Sequence, residues 1–306
     1  MSPDVIHSLA PTPRWAPLRC GNLVLRPEER PYLMGILNIT PDSFSEGGTF
    51  FDTGRAVEHG LAMAEAGADL LDVGGESSRP GAEPVSAEEE LRRVLPVIEQ
   101  LVRFSAVPIS VDTTKAFVAE AAVAAGASLV NDISALAADE EMARVVARLG
   151  VPVVLMHLRG TPRTMQQGVI HYDDVVAEVA ASLAAAVARA VRAGIAEERI
   201  VVDPGIGFGK TAQHNLALLG RMSALQRLGR PILIGPSRKS FIGSILQAEV
   251  GERLMGTAAA VAAAVLGGAS ILRVHDVAPM REVAMVAHAI RTERLPAARV
   301  RGDRPA

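Results

Sequence analysis

Three observations predict an α/β fold closed as a (β/α)8 TIM barrel. The same unit recurs eight times along the chain: an apolar run, a polar or glycine residue at its end, a small-residue loop, then a helical stretch of alanine, valine and leucine. Hydrophobic residues make up 49% and aromatics only 3%, so the core is packed from small aliphatic side chains, as where helices press on a parallel sheet. The first strand of the repeat runs into N-I-T-P-D-S-F-S-E-G-G rather than a glycine fingerprint, which argues against an open doubly wound sheet.

The elements follow in order. Residues 1–30, rich in proline and arginine, read as an arm carrying a short hairpin at G-N-L-V-L-R, with Trp15 packing it onto the body. The barrel is expected over residues 31–294 and a fraying tail over 295–306. Strands are expected to end near Asn38, Gly74, Asp112, Asn131, His157, Asp203, Gly235 and His275, where runs rich in apolar residues stop. Helical patterns occupy about 52–67, 86–103, 115–125, 137–149, 173–194, 213–229, 252–267 and 278–292. Strict alternation implies parallel strands joined by right-handed crossovers. The stretch I-V-V-D-P-G-I-G-F-G-K shows the grammar best: β-branched residues, Asp203 at the tip, then Pro204 and glycines that turn the chain. It is no phosphate-binding P-loop, because Pro204 stands where that motif needs its first glycine. No change of composition marks a second domain. Met255 to Leu272 carries no charge, but Gly267, Gly268 and the following Arg273 suit a buried helix turning into a buried strand better than a membrane span.

Composition excludes several functions. A net charge of −3 gives no basic face for nucleic acid. The lone Cys20 cannot form a disulfide within the chain and fits a reducing compartment, and the N-terminal residues lack the pattern of a secretory signal, so a cytoplasmic location is expected.

In barrels of this kind the site lies at the C-terminal ends of the strands. The tips offer Asp112 and Asp203, Asn38 and Asn131, His157 and His275, with Arg273 and, in the loop after the seventh barrel strand, Lys239. Any one of these alone could be a helix cap. Together they include carboxylates at apolar strand ends and cations among them, which caps do not need. Two histidines are too few for a tightly bound zinc, and no convincing nucleophile is present, since Cys20 lies outside the expected barrel. A heterocycle with donor edges, read by Asp203, Asp112 and Asn131, fits the remainder, together with an anion held by Arg273, His275, Ser78 and Arg79. The loop G-G-E-S-S-R-P-G suits a lid over a phosphate. The turn G-P-S-R-K-S-F-I-G places Ser237, Arg238, Lys239 and Ser240 at the start of a helix, where anions are favoured.

With these residues the sequence resembles the dihydropteroate synthase family, through M-G-I-L-N-I-T-P-D-S-F-S-E-G-G, D-V-G-G-E-S-S-R-P-G, S-V-D-T, N-D-I-S, L-M-H, D-P-G-I-G-F-G-K, S-R-K-S and R-V-H-D, in the family's order. The resemblance implies joining of 6-hydroxymethyl-7,8-dihydropterin diphosphate to 4-aminobenzoate with release of pyrophosphate, a Mg²⁺ ion and a homodimer. It implies that Asp112, Asn131, Asp203 and Lys239 hold the pterin, that Asn38 helps hold Mg²⁺, and that Ser78, Arg273 and His275 bind the diphosphate. Met156 and Gly235 join the substrate-binding set. The aminobenzoate is implied to rest on Phe208 and Pro80 with its carboxylate near Ser240, under loops carrying Thr40, Asp42, Ser78 and Arg79. Asp112, Lys239, Arg273 and His275 are the implied catalytic residues. Ser78 stands where the family usually has threonine, and Pro236 removes a backbone N–H near the aminobenzoate site. A pterin-barrel methyltransferase acting on a methylated folate would share the pterin-reading residues but would not need the S-R-K-S turn or the anion loop. A non-catalytic pterin-binding subunit is the other alternative.

Overall fold

The computed structural model describes residues 15–40 and 53–295. Asp42, most of the expected tail and the first part of the arm lie outside the described residues. After the arm's two short strands, β1 (Leu18–Cys20) and β2 (Leu23–Leu25), come eight parallel strands. They are β3 (Tyr32–Asn38), β4 (Leu70–Gly74), β5 (Ile109–Asp112), β6 (Leu129–Asp132), β7 (Val153–Met156), β8 (Ile200–Asp203), β9 (Leu233–Ile234) and β10 (Ile271–Val274). Their order around the sheet is β8-β7-β6-β5-β4-β3-β10-β9. The ring closes between its ends through the parallel bridge Val202–Ile232, where Val202 N donates to Pro231 O at 3.0 Å.

The outer layer comprises α1 (Thr53–Glu65), α2 (Ala87–Phe104), α3 (Ala116–Ala124), α4 (Met142–Leu149), α5 (Val175–Arg192), α6 (Ala212–Gly220), α7 (Ser240–Leu246), α8 (Leu254–Leu266) and α9 (Val277–Thr292). Local chemistry sets several starts. The Ser86 hydroxyl accepts from Glu89 N, Asp174 accepts from Val176 N and Ala177 N, and Thr211 with His214 forms a capping box. The helix expected over 213–229 breaks at Gly220 and continues as a 3-10 turn, Met222–Leu228, which buries Met222 and Leu225. The helix expected from 137 begins instead at Met142, because Asp132 folds the preceding segment into a turn by accepting from Ser134 N and Leu136 N. The strands expected to end at His157, Gly235 and His275 each stop one residue earlier, and the strand expected to end at Asn131 runs on to Asp132. The charge-free stretch from Met255 is α8 turning into β10, as expected, and among the described residues no helix is long and apolar enough to cross a membrane.

Alternation along the strands positions the site. The lower inward side chains, including Met34, Leu70, Leu129, Val154, Val201, Leu233 and Ile271, cluster with Leu18, Cys20 and Leu25 of the hairpin. The hairpin therefore closes the N-terminal end of the barrel, a role that the sequence left unassigned. Its two-residue turn has Gly21 at φ +57, as a primed turn requires. Cys20 lies outside the ring of strands, as expected, on the hairpin and buried in this floor, where burial pushes its thiol up to about 12. The next inward positions along the strands, Asp112, Asn131, Met156, Asp203 and Arg273, emerge at the opposite end.

Candidate active site

A cleft of about 1040 Å³ opens at the C-terminal end of the barrel. Every residue expected to bind substrate or metal lines it: Asn38, Ser78, Arg79, Asp112, Asn131, Met156, Asp203, Phe208, Gly235, Lys239, Ser240, Arg273 and His275. Strand order divides them. Asp112, Asn131, Met156 and Asp203 come from the consecutive strands β5 to β8, with an apolar wall of Ile133, Met156, Met165 and Phe208 beside them. Arg273 and Asn38 come from the adjacent strands β10 and β3, His275 from the residue just past β10, and Ser78 and Arg79 from the loop after the neighbouring β4. One half of the rim thus presents carboxylate, amide and apolar groups, and the other the cations Arg79 and Arg273 with the Ser78 hydroxyl, the His275 ring and the Asn38 amide; Lys239, in the loop after β9, stands at a boundary between them.

Arg273 spans the two halves. Its Nη2 donates to Asp112 Oδ2 at 2.8 Å, and its Nε donates to Asp72 Oδ2 at 2.6 Å. Asp72, wholly buried on β4, also accepts from Asn131 Nδ2 at 3.0 Å. That bond turns the Asn131 carbonyl oxygen, an acceptor, toward the rest of the site. Asp72 was not among the expected site residues. A charge inside the otherwise apolar strand L-L-D-V-G was the available signal, since a buried carboxylate needs a partner.

Burial shifts the titrating groups. It raises the Asp112 carboxyl strongly, against the pull of Arg273 and with the help of Asp72. It raises Asp203 to about 6, although the Gly205 N–H donates to Asp203 Oδ1 at 2.7 Å and Lys239 lies nearby. Burial, with Arg273, lowers Lys239 to about 8, and its ammonium lies 4.1 Å from the centre of the Phe208 ring. His275 is lowered to about 4 by burial and then by Arg273, so its ring is neutral near pH 7. The Ser237 hydroxyl oxygen accepts from His275 N at 3.2 Å and stands 2.9 Å from Nδ1. When Ser237 donates to Nδ1, the ring proton sits on Nε2, and His275 presents an N–H donor without carrying charge.

His157, expected at a strand tip, does not line the cleft. Its Nδ1 lies 2.9 Å from Lys210 Nζ, which also donates to Phe208 O at 3.0 Å. Burial lowers His157 to about 3 and Lys210 to about 7. Lys210 therefore pins the loop between Asp203 and α6 from within, and it too was missed. Gly205 in that loop stands at φ +67, and a Cβ there would lie 2.1 Å from His157 O. The turn before α7 is held differently. Arg238 has φ +57; its N–H donates to Thr257 Oγ1 at 3.0 Å, its carbonyl accepts from Arg253 Nη1 at 3.1 Å, and its guanidinium pairs with Asp276 at 2.6 Å. Three tethers hold a conformation that a non-glycine residue rarely adopts.

Among the described residues no cluster of three or more histidine, cysteine or acidic side chains could cage a metal. The Asn38 amide is a hard oxygen donor at the rim. That fits a Mg²⁺ ion, which commonly keeps waters and takes one or two protein oxygens plus substrate phosphates.

The barrel and its divided rim define an enzyme that binds a pterin, and residues 34–275 match the family model described as pterin binding enzyme. The dihydropteroate synthase of Synechocystis sp. is 47% identical over 275 residues, covering 90% of this chain and 95% of that protein. Two structures of the Xanthomonas albilineans dihydropteroate synthase are close in fold. The one with 4-aminobenzoic acid has a TM-score of 0.84 at 49% identity and covers 91% of this chain and 98% of its own. The one in complex with 7,8-dihydropteroate has a TM-score of 0.81 at 47% identity, covering 90% and 98%. The chain belongs to the dihydropteroate synthase family.

Proposed function

We propose that the protein condenses 6-hydroxymethyl-7,8-dihydropterin diphosphate with 4-aminobenzoate, giving 7,8-dihydropteroate and pyrophosphate. The observation that carries this reading is the division of the rim. Acceptors on β5, β6 and β8 suit the N–H edge of a pterin, and the donors of β10, β3 and the loop after β4 suit a diphosphate. The relatives named above carry the same activity in their names, and one is a complex with the product of this condensation.

The side chains support a dissociative path. Asp203, Asn131 and Lys239 hold the ring, with Met156 against it and Gly235 leaving room at the tip of β9. Arg273, His275 and Ser78, with Arg79, stabilise the charge that gathers on the departing pyrophosphate as the C–O bond breaks and the oxygen keeps the electron pair. Asp112, paired to Arg273, faces the ring on which positive charge develops. The amine of 4-aminobenzoate forms the C–N bond to the exposed methylene and then loses a proton, so no protein nucleophile is needed. Phe208 and Pro80 are placed to pack its ring, with Ser240 near its carboxylate. Mg²⁺, held by Asn38 and the diphosphate, would supply further neutralisation of the leaving group. A methyltransferase would have no use for the anion-binding half of the rim.

A homodimer is part of the proposal. The apolar groove between α8 and α9, lined by Ala262, Leu266, Val283, Val286 and Ile290, leaves Val286 and Ile290 about two-thirds exposed, an area a second copy would bury.

The test is a split in binding. Asp203→Asn should weaken a pterin lacking the diphosphate and the full substrate alike, whereas His275→Ala should weaken only the full substrate. Equal effects of both variants on both ligands would contradict the divided rim.

A further inference from the structure

Outside the cleft, a second charged cluster stands at the root of the loop that carries Ser78 and Arg79. Lys115, at the entry to α3, donates from Nζ to Glu76 Oε2 at 2.7 Å and to Glu90 Oε2 at 2.5 Å. The same Glu76 oxygen accepts from Val85 N at 2.9 Å. One carboxylate oxygen therefore joins the two ends of the loop and receives the lysine. The intervening residues 77–84 form neither helix nor strand, so no ladder positions them. Arg93 of α2 adds a bond to Gly75 O at 2.8 Å, and on the loop's far side Gly81 N donates to Pro162 O at 3.1 Å and the exposed Glu83 pairs with Arg163 at 3.4 Å.

The charges make Lys115 the centre of this arrangement. Glu90 is wholly buried, and its other oxygen has no partner. Burial lifts the Glu90 carboxyl against the pull of Lys115. Burial also works against the Lys115 ammonium, but its hydrogen bonds to Glu76 and Glu90 outweigh that and hold it above the ordinary lysine value. Without the ammonium, two carboxylates would confront each other at a site with little water, and the Glu76 carboxylate would be free to leave Val85.

We propose that Lys115 is a positioning residue, which holds Glu76 across the ends of the 76–85 loop and so sets Ser78 and Arg79 at the anion-binding half of the rim. The proposal rests on the reading that these two side chains meet the diphosphate. A structural staple between α2 and α3 would give the same contacts but no selective effect on anion binding.

Three variants of the full chain, Lys115→Met, Glu76→Gln and Lys115→Arg, separate the two. The readouts are amide hydrogen exchange over residues 77–84, inhibition by inorganic pyrophosphate, and binding of a pterin without a diphosphate. Lys115→Met is expected to speed exchange in the loop and to weaken pyrophosphate on the order of tenfold, as a displaced binding group does, with the pterin changed by less than about twofold. Glu76→Gln, which removes the charge but keeps an oxygen for Val85, should show the same pattern more weakly if Lys115→Met does not fold. Lys115→Arg should restore the parent values. Unchanged exchange in both loosening variants, or equal loss of pyrophosphate and pterin, would overturn the proposal. Faster exchange with pyrophosphate binding intact would uphold the anchoring but overturn the assignment of Ser78 and Arg79 to the diphosphate.

Discussion

Asp72, wholly buried beneath the cleft, ties together two residues that line it. It fixes the guanidinium of Arg273 and the amide of Asn131 with one oxygen, and through Arg273 it acts on Asp112. Asp72→Ala leaves Arg273 half-paired and lets the Asn131 amide rotate. We expect kcat/KM for the pterin diphosphate to fall about 100-fold, the scale of a misplaced binding group, and steady-state kinetics on folded protein will show it. Asp203 sets a pH dependence whose sign is fixed by its raised value. Below about 6 its carboxyl is protonated and donates where the pterin edge needs an acceptor, so kcat/KM should decline as pH falls through 6. Asp203→Asn should remove the Asp203 part of the decline, at a lower plateau, and leave the part that belongs to the raised Asp112; a parent acid limb confined below pH 4 would contradict the shift. The strand-tip residues were legible because each interrupts an apolar run. Asp72 interrupts such a run too, but its role and that of Lys210 were not legible, because their partners Arg273 and His157 are far away in sequence and only the closed ring brings them together.

At the level of elements, two pieces have separable duties. The hairpin β1–β2 seals the barrel floor with Leu18 and Leu25, both essentially unexposed, at the end away from the cleft. Leu25→Ala should cost about 2–5 kcal/mol of stability, read as a lower denaturation midpoint, while kcat and both KM values of the folded fraction stay near parent levels. The turn before α7 serves the site instead. Thr257→Val keeps the shape but leaves the Arg238 N–H unpaired, at a residue already held at φ +57. Relaxation of that turn moves Lys239 and Ser240, so KM for 4-aminobenzoate should rise several-fold in initial-rate measurements. An unchanged KM would mean that Arg253 and Asp276 suffice. The helical periods were readable to within a few residues except where tertiary bonds override them. Asp132 delays α4, and the burial of Met222 and Leu225 after Gly220 turns an expected long helix into α6 and a 3-10 turn. The hairpin's place in the floor was not readable, because nothing local in L-R-C-G-N-L-V-L says which end of a barrel it meets.

For the whole molecule, the barrel's topology converts a linear order of motifs into a division of labour. Four consecutive strands supply the half proposed to read the ring, the strands next to them supply the half proposed to bind the diphosphate, and Arg273 ties the halves together. The central claim is that this arrangement drives departure of pyrophosphate and hands the pterin methylene to an amine without a protein nucleophile. Its most direct test is pyrophosphate release by the purified protein from the pterin diphosphate, with and without Mg²⁺ and 4-aminobenzoate, alongside Asp112→Asn. The account predicts release that depends on Mg²⁺, is matched by dihydropteroate when 4-aminobenzoate is present, and is largely lost in the variant. Pterin binding with no release under any of these conditions would contradict it.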